Sequence, residues 1–156
     1  MAAASILAMA SCNNDDDDVN PSPSDAIVGS YVDSLSYSVG TMSNGTIQND
    51  TLVISKVAGK DNMVDLHFLK YMGMGGKSSE LYIYNVVVTE SNGSYALGIS
   101  SDEGAVTKAK MTSSSYDVTK VDGKVNNDNI ALKFNFLIAA MNATFSNEYN
   151  NGKKIK

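Results

Sequence analysis

Ile130, Leu132, Phe134 and Phe136 occupy every second position of a run whose other members are Ala131, Lys133 and Asn135. Side chains of a β-strand point alternately to its two faces. A period of two with one apolar phase therefore describes a strand that covers a core with one face and meets water with the other. The same pattern recurs between turn signals along most of the chain. Leu35, Tyr37 and Val39 alternate with serines, and Leu52 and Ile54 lie in a Thr/Val-rich run closed by Ala58-Gly59-Lys60-Asp61-Asn62. Val64, Leu66 and Phe68 alternate with Asp65, His67 and Leu69. Residues 81–89 are apolar in both phases, which predicts a strand lying centrally, and Ser91-Asn92-Gly93-Ser94 turns it into Tyr95, Leu97 and Ile99. A polar stretch over 108–117 leads to Val118, Val121 and Val125, and Met141, Ala143 and Phe145 follow the small pair Ala139-Ala140.

The only prolines, Pro21 and Pro23, precede these runs, so no proline interrupts a ladder. Hairpin spacing without helical crossovers makes the sheet antiparallel. Such strands build a barrel or a sandwich, and closure of roughly eight of them into an up-and-down barrel would leave no unpaired edge. The sequence thus predicts an all-β antiparallel barrel over 26–150, preceded by a signal segment (1–11) and a linker (12–25) and followed by a tail (151–156). With 43% hydrophobic residues, the chain has the material for a core.

Charge and cysteine content narrow the function classes. Twelve lysines, no arginine and a net charge of -5 leave no basic stripe or guanidinium for phosphates, so nucleic acid is not an expected partner. Cys12 is the only cysteine, which precludes an internal disulfide and a thiolate zinc site. It sits between the apolar Ala2–Ala10 segment and Asn13-Asn14-Asp15-Asp16-Asp17-Asp18. An apolar stretch of that length, followed by small residues, reads as the h-region and cleavage site of an export signal.

The tetrad Met9-Ala10-Ser11-Cys12 resembles a bacterial lipobox, with Met9 where leucine is common. The resemblance implies cleavage between Ser11 and Cys12, lipid on Cys12, and attachment to a membrane by several acyl chains, since a single chain binds only marginally. No lysine or arginine precedes the apolar run, which points to an initiation site further upstream. The acidic run and Val19-Asn20-Pro21-Ser22-Pro23-Ser24 read as an extended, self-repelling tether. An acidic run directly after the cysteine resembles the surface-export signal of Bacteroidetes lipoproteins. That implies the outer membrane, facing the exterior, with the periplasmic face as the alternative.

Ile27-Val28-Gly29-Ser30-Tyr31 resembles the Gly-x-Trp opening of calycins, with tyrosine in place of tryptophan. Asn85-Val86-Val87-Val88-Thr89 with Gly93 and Tyr95 is similar to the middle of the calycin-like domain of Bacteroidetes lipoproteins. Gly123-Lys124, Leu132-Lys133-Phe134 and Asn142-Ala143-Thr144-Phe145 resemble its closing strands. The resemblance covers about residues 26–149 and implies a lipocalin-like barrel without implying an activity.

Candidate chemistry is sparse. His67, the only histidine, shares a strand face with Asp65, a pairing suited to acid–base work or to an ordinary exposed strand surface. No Gly-x-Ser-x-Gly elbow, EF-hand spacing or phosphate loop is present, so neither an enzyme nor a bound cofactor or metal is expected. Tyr71-Met72-Gly73-Met74-Gly75-Gly76 reads as a lip over a barrel mouth or a long turn, with Tyr71, Met72 and Met74 as possible ligand contacts. Tyr82, Tyr84, Tyr95 and Tyr116 could wall a glycan or small hydrophobic ligand, or simply pack as strand aromatics. Asp33-Ser34-Leu35 and Asp50-Thr51-Leu52 resemble a Bacteroidetes O-glycosylation pattern, with Thr51, beside an expected turn at Asn49, the better candidate over Ser34. Phe134, Phe136 and Phe145 favour a filled interior with any ligand near the loops. The expected function is a non-catalytic, lipid-anchored barrel binding a small apolar or glycan ligand. The alternative is a structural or interaction module with a surface protein partner.

Overall fold

The computed structural model describes residues 20–72 and 78–156. The expected cleavage at Ser11, the lipid on Cys12, the acidic run, the side chain of Met72, and Met74 lie outside what it describes. A short helix α1 (Pro23–Ile27) precedes nine strands. These are β1 (Gly29–Val39), β2 (Ser43–Lys56), β3 (Met63–Met72), β4 (Ser78–Ser91), β5 (Ser94–Ile99), β6 (Lys108–Met111), β7 (Ser114–Asn126), β8 (Asn129–Ile138) and β9 (Ala143–Lys154). Every pairing is antiparallel, and the sheet closes because β3 bonds β4 and β9 bonds β1. Between β4 and β7 one wall position is shared: β5 pairs the Val86–Ser91 part of β4, and β6 pairs Leu81–Tyr84. The result is an eight-position up-and-down barrel, as the alternation implies, with residues 100–107 leaving the wall between β5 and β6.

Among the described residues, the interior is packed mainly with apolar and aromatic side chains. Phe68 stacks on Phe134 at 5.2 Å and meets Tyr149 edge-on at 5.7 Å, while Phe136 stacks on Phe145 at 5.1 Å. These rings are all but inaccessible and form one cluster with Leu35, Leu52, Leu66 and Leu132. Gly123 makes room for this packing, since a Cβ there would lie 2.8 Å from Leu132 and 2.9 Å from Leu97.

One end of the barrel is stoppered by α1. Residues up to Asp25 read as linker in the sequence, yet Pro23 opens a helix. Ser22 accepts from the Asp25 amide while the Asp25 carboxylate accepts from the Ser22 amide, a capping box reinforced by proline at the first turn. Ile27 is fully buried, its carbonyl accepts the Tyr31 hydroxyl at 2.9 Å, and Ser24 bonds the Asp61 carbonyl. Lys56 ties the helix to the β2–β3 turn through Asp25 and Asp61. The chain returns to this end: β9 runs on to Lys154, past the boundary expected at residue 150, and Ile155 donates to the Ser30 carbonyl.

Three aspartates close breaks in the ladders. At a bulge one strand gains a residue and leaves an amide unpaired, which is costly unless another acceptor reaches it. Asp33 accepts from the Asn151 amide at 2.6 Å, Asp50 from Lys70 at 2.8 Å and Asp65 from Asn85 at 2.9 Å. Asn85 lies in the left-handed region at φ 60°. It corrects the reading of 81–89 as a central strand. Leu81 and Ile83 point inward before the bulge and Val86 and Val88 after it, so the apolar phase switches rather than doubles. The polar stretch 108–117 likewise contains a strand, because Ala109 and Met111 face the core while Lys108 and Lys110 face water.

Candidate ligand groove on the outer wall

The expected ligand tyrosines do not converge. Tyr71 is buried inside the barrel, where its hydroxyl donates to Asn147 Oδ1 at 2.7 Å and burial pushes its pKa far above the ordinary tyrosine value. Tyr95 also faces the core, half-buried near the α1 end. Tyr82 and Tyr84 stand on the opposite side of the wall. Tyr82 stacks on His67 at 4.0 Å and on Tyr84 at 5.7 Å, so the ring faces cover one another rather than lying open as a platform.

His67 does share the outer face with Asp65, but its partner is elsewhere. Asp65 is engaged with the Asn85 amide, whereas Glu80 Oε2 lies 2.6 Å from His67 Nε2 and accepts the Tyr82 hydroxyl at 3.0 Å. The His67 and Tyr82 bonds hold the Glu80 carboxyl below its usual range, and Glu80 in turn raises the Tyr82 hydroxyl. This is a closed cross-strand cluster whose groups satisfy one another. Among the described residues, no three His, Cys, Asp or Glu side chains group as metal ligands would. Ser34 and Thr51 both lie within strands, Ser34 donating to Gln48 Oε1 at 3.0 Å and Thr51 opposite Val32. Asn49 is a left-handed residue inside β2 rather than the turn expected there.

Among the described residues, Asp50 is the one buried carboxylate. Its Oδ2 has no hydrogen-bond partner, and burial raises its pKa against the pull of the Lys70 amide. Its position inside β2, next to the wall break it closes, makes it structural.

The convergent polar surface lies outside the barrel, on residues that no motif marks. Register across β1, β9, β8 and β7 sets Ser38 beside Ser146, Ser146 beside Asn135, and Asn135 beside Lys120. A second row places Ser36 beside Glu148 and Glu148 beside Lys133. Together they form a groove of about 330 Å³, within the size range of small-ligand sites. Ser38, Asn135, Ser146 and Glu148 form a half-buried floor, and Ser36, Lys120 and Lys133 an exposed rim. Lys133 pairs with Glu148 at 3.2 Å, and its bond holds the Glu148 carboxyl low. Ser38 also lines a smaller hollow of about 210 Å³ with Gly40, Thr41, Met42 and Asn44. The groove therefore reaches the β1–β2 turn, at the end of the barrel remote from α1. The only sequence signal for these residues is that each is in the outward phase of its strand.

Lys108, Lys110, Asp117, Lys120, Asp122, Lys124, Lys133 and Glu148 all stand on the outward phase of β6–β9. A barrel that crosses a bilayer carries an outward apolar band instead. Among the described residues no helix is long and apolar enough to cross a membrane.

No family model matches the chain, and no curated protein does either. Among solved structures, it is similar to a Bacteroides fragilis protein provisionally described as an outer membrane protein. The two share 20% identity and a TM-score of 0.60, with 87% of this chain and 54% of that protein covered. The chain thus spans about half the length of that protein, and the likeness is one of fold.

Proposed function

We propose that the chain is a non-catalytic, calycin-like lipoprotein of the outer membrane that faces the cell exterior and takes a glycan on its outer wall. The observation that carries the reading is the groove. Its floor offers two hydroxyls, a carboxamide and a carboxylate side by side, the donor and acceptor set that a polyhydroxylated ligand needs and an apolar one does not. The aromatic cluster packed inside the barrel supports a scaffold role for it, with binding on the wall. The charged outer face of β6–β9 is unsuited to hydrocarbon, which fits attachment through a lipid on Cys12 rather than through the barrel wall. The described chain begins beside α1 and the groove lies toward the other end, so a tether leaving residue 20 would present the groove away from the membrane. The fold likeness to a provisionally described outer membrane protein is compatible with that location.

Two measurements test the reading. In a Bacteroidetes host, metabolic labelling with palmitate should tag the wild type and not Cys12→Ala, and protease added to intact cells should degrade the wild type. A glycan array probed with the purified full chain should yield binders that Ser38→Trp abolishes. Labelling without any glycan bound would favour the interaction-module alternative, which the packed interior also suits.

A further inference from the structure

The groove is asymmetric in charge, and the asymmetry narrows its ligand. Of its two cations, Lys133 is already compensated: Glu148 pairs with it on one side and Asp122 stands opposite it on β7. Lys120 has no such partner. Its cross-strand neighbour is the neutral Asn135, and its ammonium makes no ion pair or hydrogen bond among the described residues. Of the acids flanking it on β7, Asp122 stands two residues on, opposite Lys133, and forms no ion pair with Lys120, while Asp117 is taken by Lys108. On its other flank the wall is open, because β7 is paired by β5 only from Gly123 on and by β6 only up to Asp117. In a chain of net charge -5, this end of the groove therefore carries an ammonium held in no ion pair, next to a row of neutral hydroxyl and amide groups.

Resting on the glycan reading above, we propose that the groove binds an acidic saccharide whose carboxylate is held by Lys120 and whose hydroxyls are held by Ser38, Ser146, Asn135 and Glu148. With neighbouring strands about 4.8 Å apart, the row from Ser38 to Lys120 spans roughly 14 Å, enough to seat more than a single ring. An ammonium is a compact point charge with freely rotating donors, so it suits a lone carboxylate at the end of a sugar without demanding the planar two-point geometry of arginine. The Lys133–Glu148 pair in the second row supplies a fixed donor and acceptor for hydroxyls while leaving the net charge of the ligand to Lys120.

Isothermal titration of the full-length, detergent-solubilised protein with a hexuronate disaccharide and its neutral hexose counterpart tests this. The acidic sugar should bind about ten- to a hundred-fold more tightly, the scale of one charge-assisted hydrogen bond. Lys120→Met should abolish the preference for the acidic sugar, so that the two sugars bind alike. Lys124→Met, on the same strand but outside the groove, should change neither. Ser38→Trp should remove both while the melting temperature holds. Equal affinity for the two sugars, or an acid preference that survives Lys120→Met, would overturn the assignment of Lys120 and leave the glycan reading standing. Binding of neither sugar by folded wild type would overturn both.

Discussion

Tyr71 offers a direct way to separate a ligand contact from a core contact. Its hydroxyl donates to Asn147 Oδ1 at 2.7 Å, and Asn147 is itself buried, its amide reaching the Phe134 and Phe145 carbonyls at 3.3 and 3.4 Å. Tyr71→Phe removes the donor and strands Oδ1 in an apolar interior. An unsatisfied buried acceptor of this kind costs about 1–3 kcal/mol. With unfolding entropy of about 2.1 cal/mol/K per residue over a barrel of about 130 residues, that corresponds to a Tm lowered by roughly 4–11 °C. Asn147→Leu should cost a similar amount, because it strands the tyrosine hydroxyl instead. The double variant removes both polar groups and should be much less destabilised than the sum, since replacing both partners by apolar groups of similar shape is nearly neutral. Because burial holds the Tyr71 hydroxyl protonated well above the ordinary range, the effect should not vary across neutral pH. Urea unfolding of the four proteins measures the cycle. Additive losses, or a Tyr71→Phe variant as stable as wild type, would refute the interior hydrogen bond and return Tyr71 to the candidate ligand contacts.

Three further outcomes follow from the packing. Ile27→Ala should destabilise by about 2–5 kcal/mol in urea unfolding, because Ile27 is fully buried where α1 stoppers the barrel. Asp50→Asn keeps the acceptor for the Lys70 amide but removes a titration. The raised folded pKa means the native state holds this proton more tightly than the unfolded chain, so native stability falls as pH rises from the unfolded value of 3.8 through the raised one. Relative to wild type, the variant should thus gain stability across that window and level off above it, as read by unfolding over a pH series. Asn85→Val should lose about 1–2 kcal/mol for forcing a β-branched side chain to φ 60°, whereas Asn85→Gly should retain most of the wild-type Tm.

The architecture was legible because a strand writes its two faces into the sequence at a period of two. The run through Ile130, Leu132, Phe134 and Phe136 predicts its own burial, and the absence of proline beyond Pro23 predicts ladders that no proline breaks. Where that reading slipped, a local backbone event was the cause. Asn85 flips the phase of β4, so a bulge looked like a two-sided apolar strand. Ala109 is too small to mark the inward phase of β6 against its lysines. Ser22-Pro23-Ser24-Asp25 did carry a capping signal, which the surrounding Pro/Ser composition concealed.

The groove belongs to a different level of organisation. Ser38, Lys120, Asn135 and Ser146 are each foreseeable as outward-facing, and nothing in their local sequence says that they meet. Their adjacency depends on register, on the bulges that shift it by one residue, and on closure of the first strand against the last. The same is true of His67, whose own strand suggested Asp65 and whose partner across the ladder is Glu80. Side-chain alternation is a property of one strand, so the sequence alone determined which residues face the core and which face water. Pairing is a property of two strands distant in the chain, so only the tertiary structure decided which outward residues share a site.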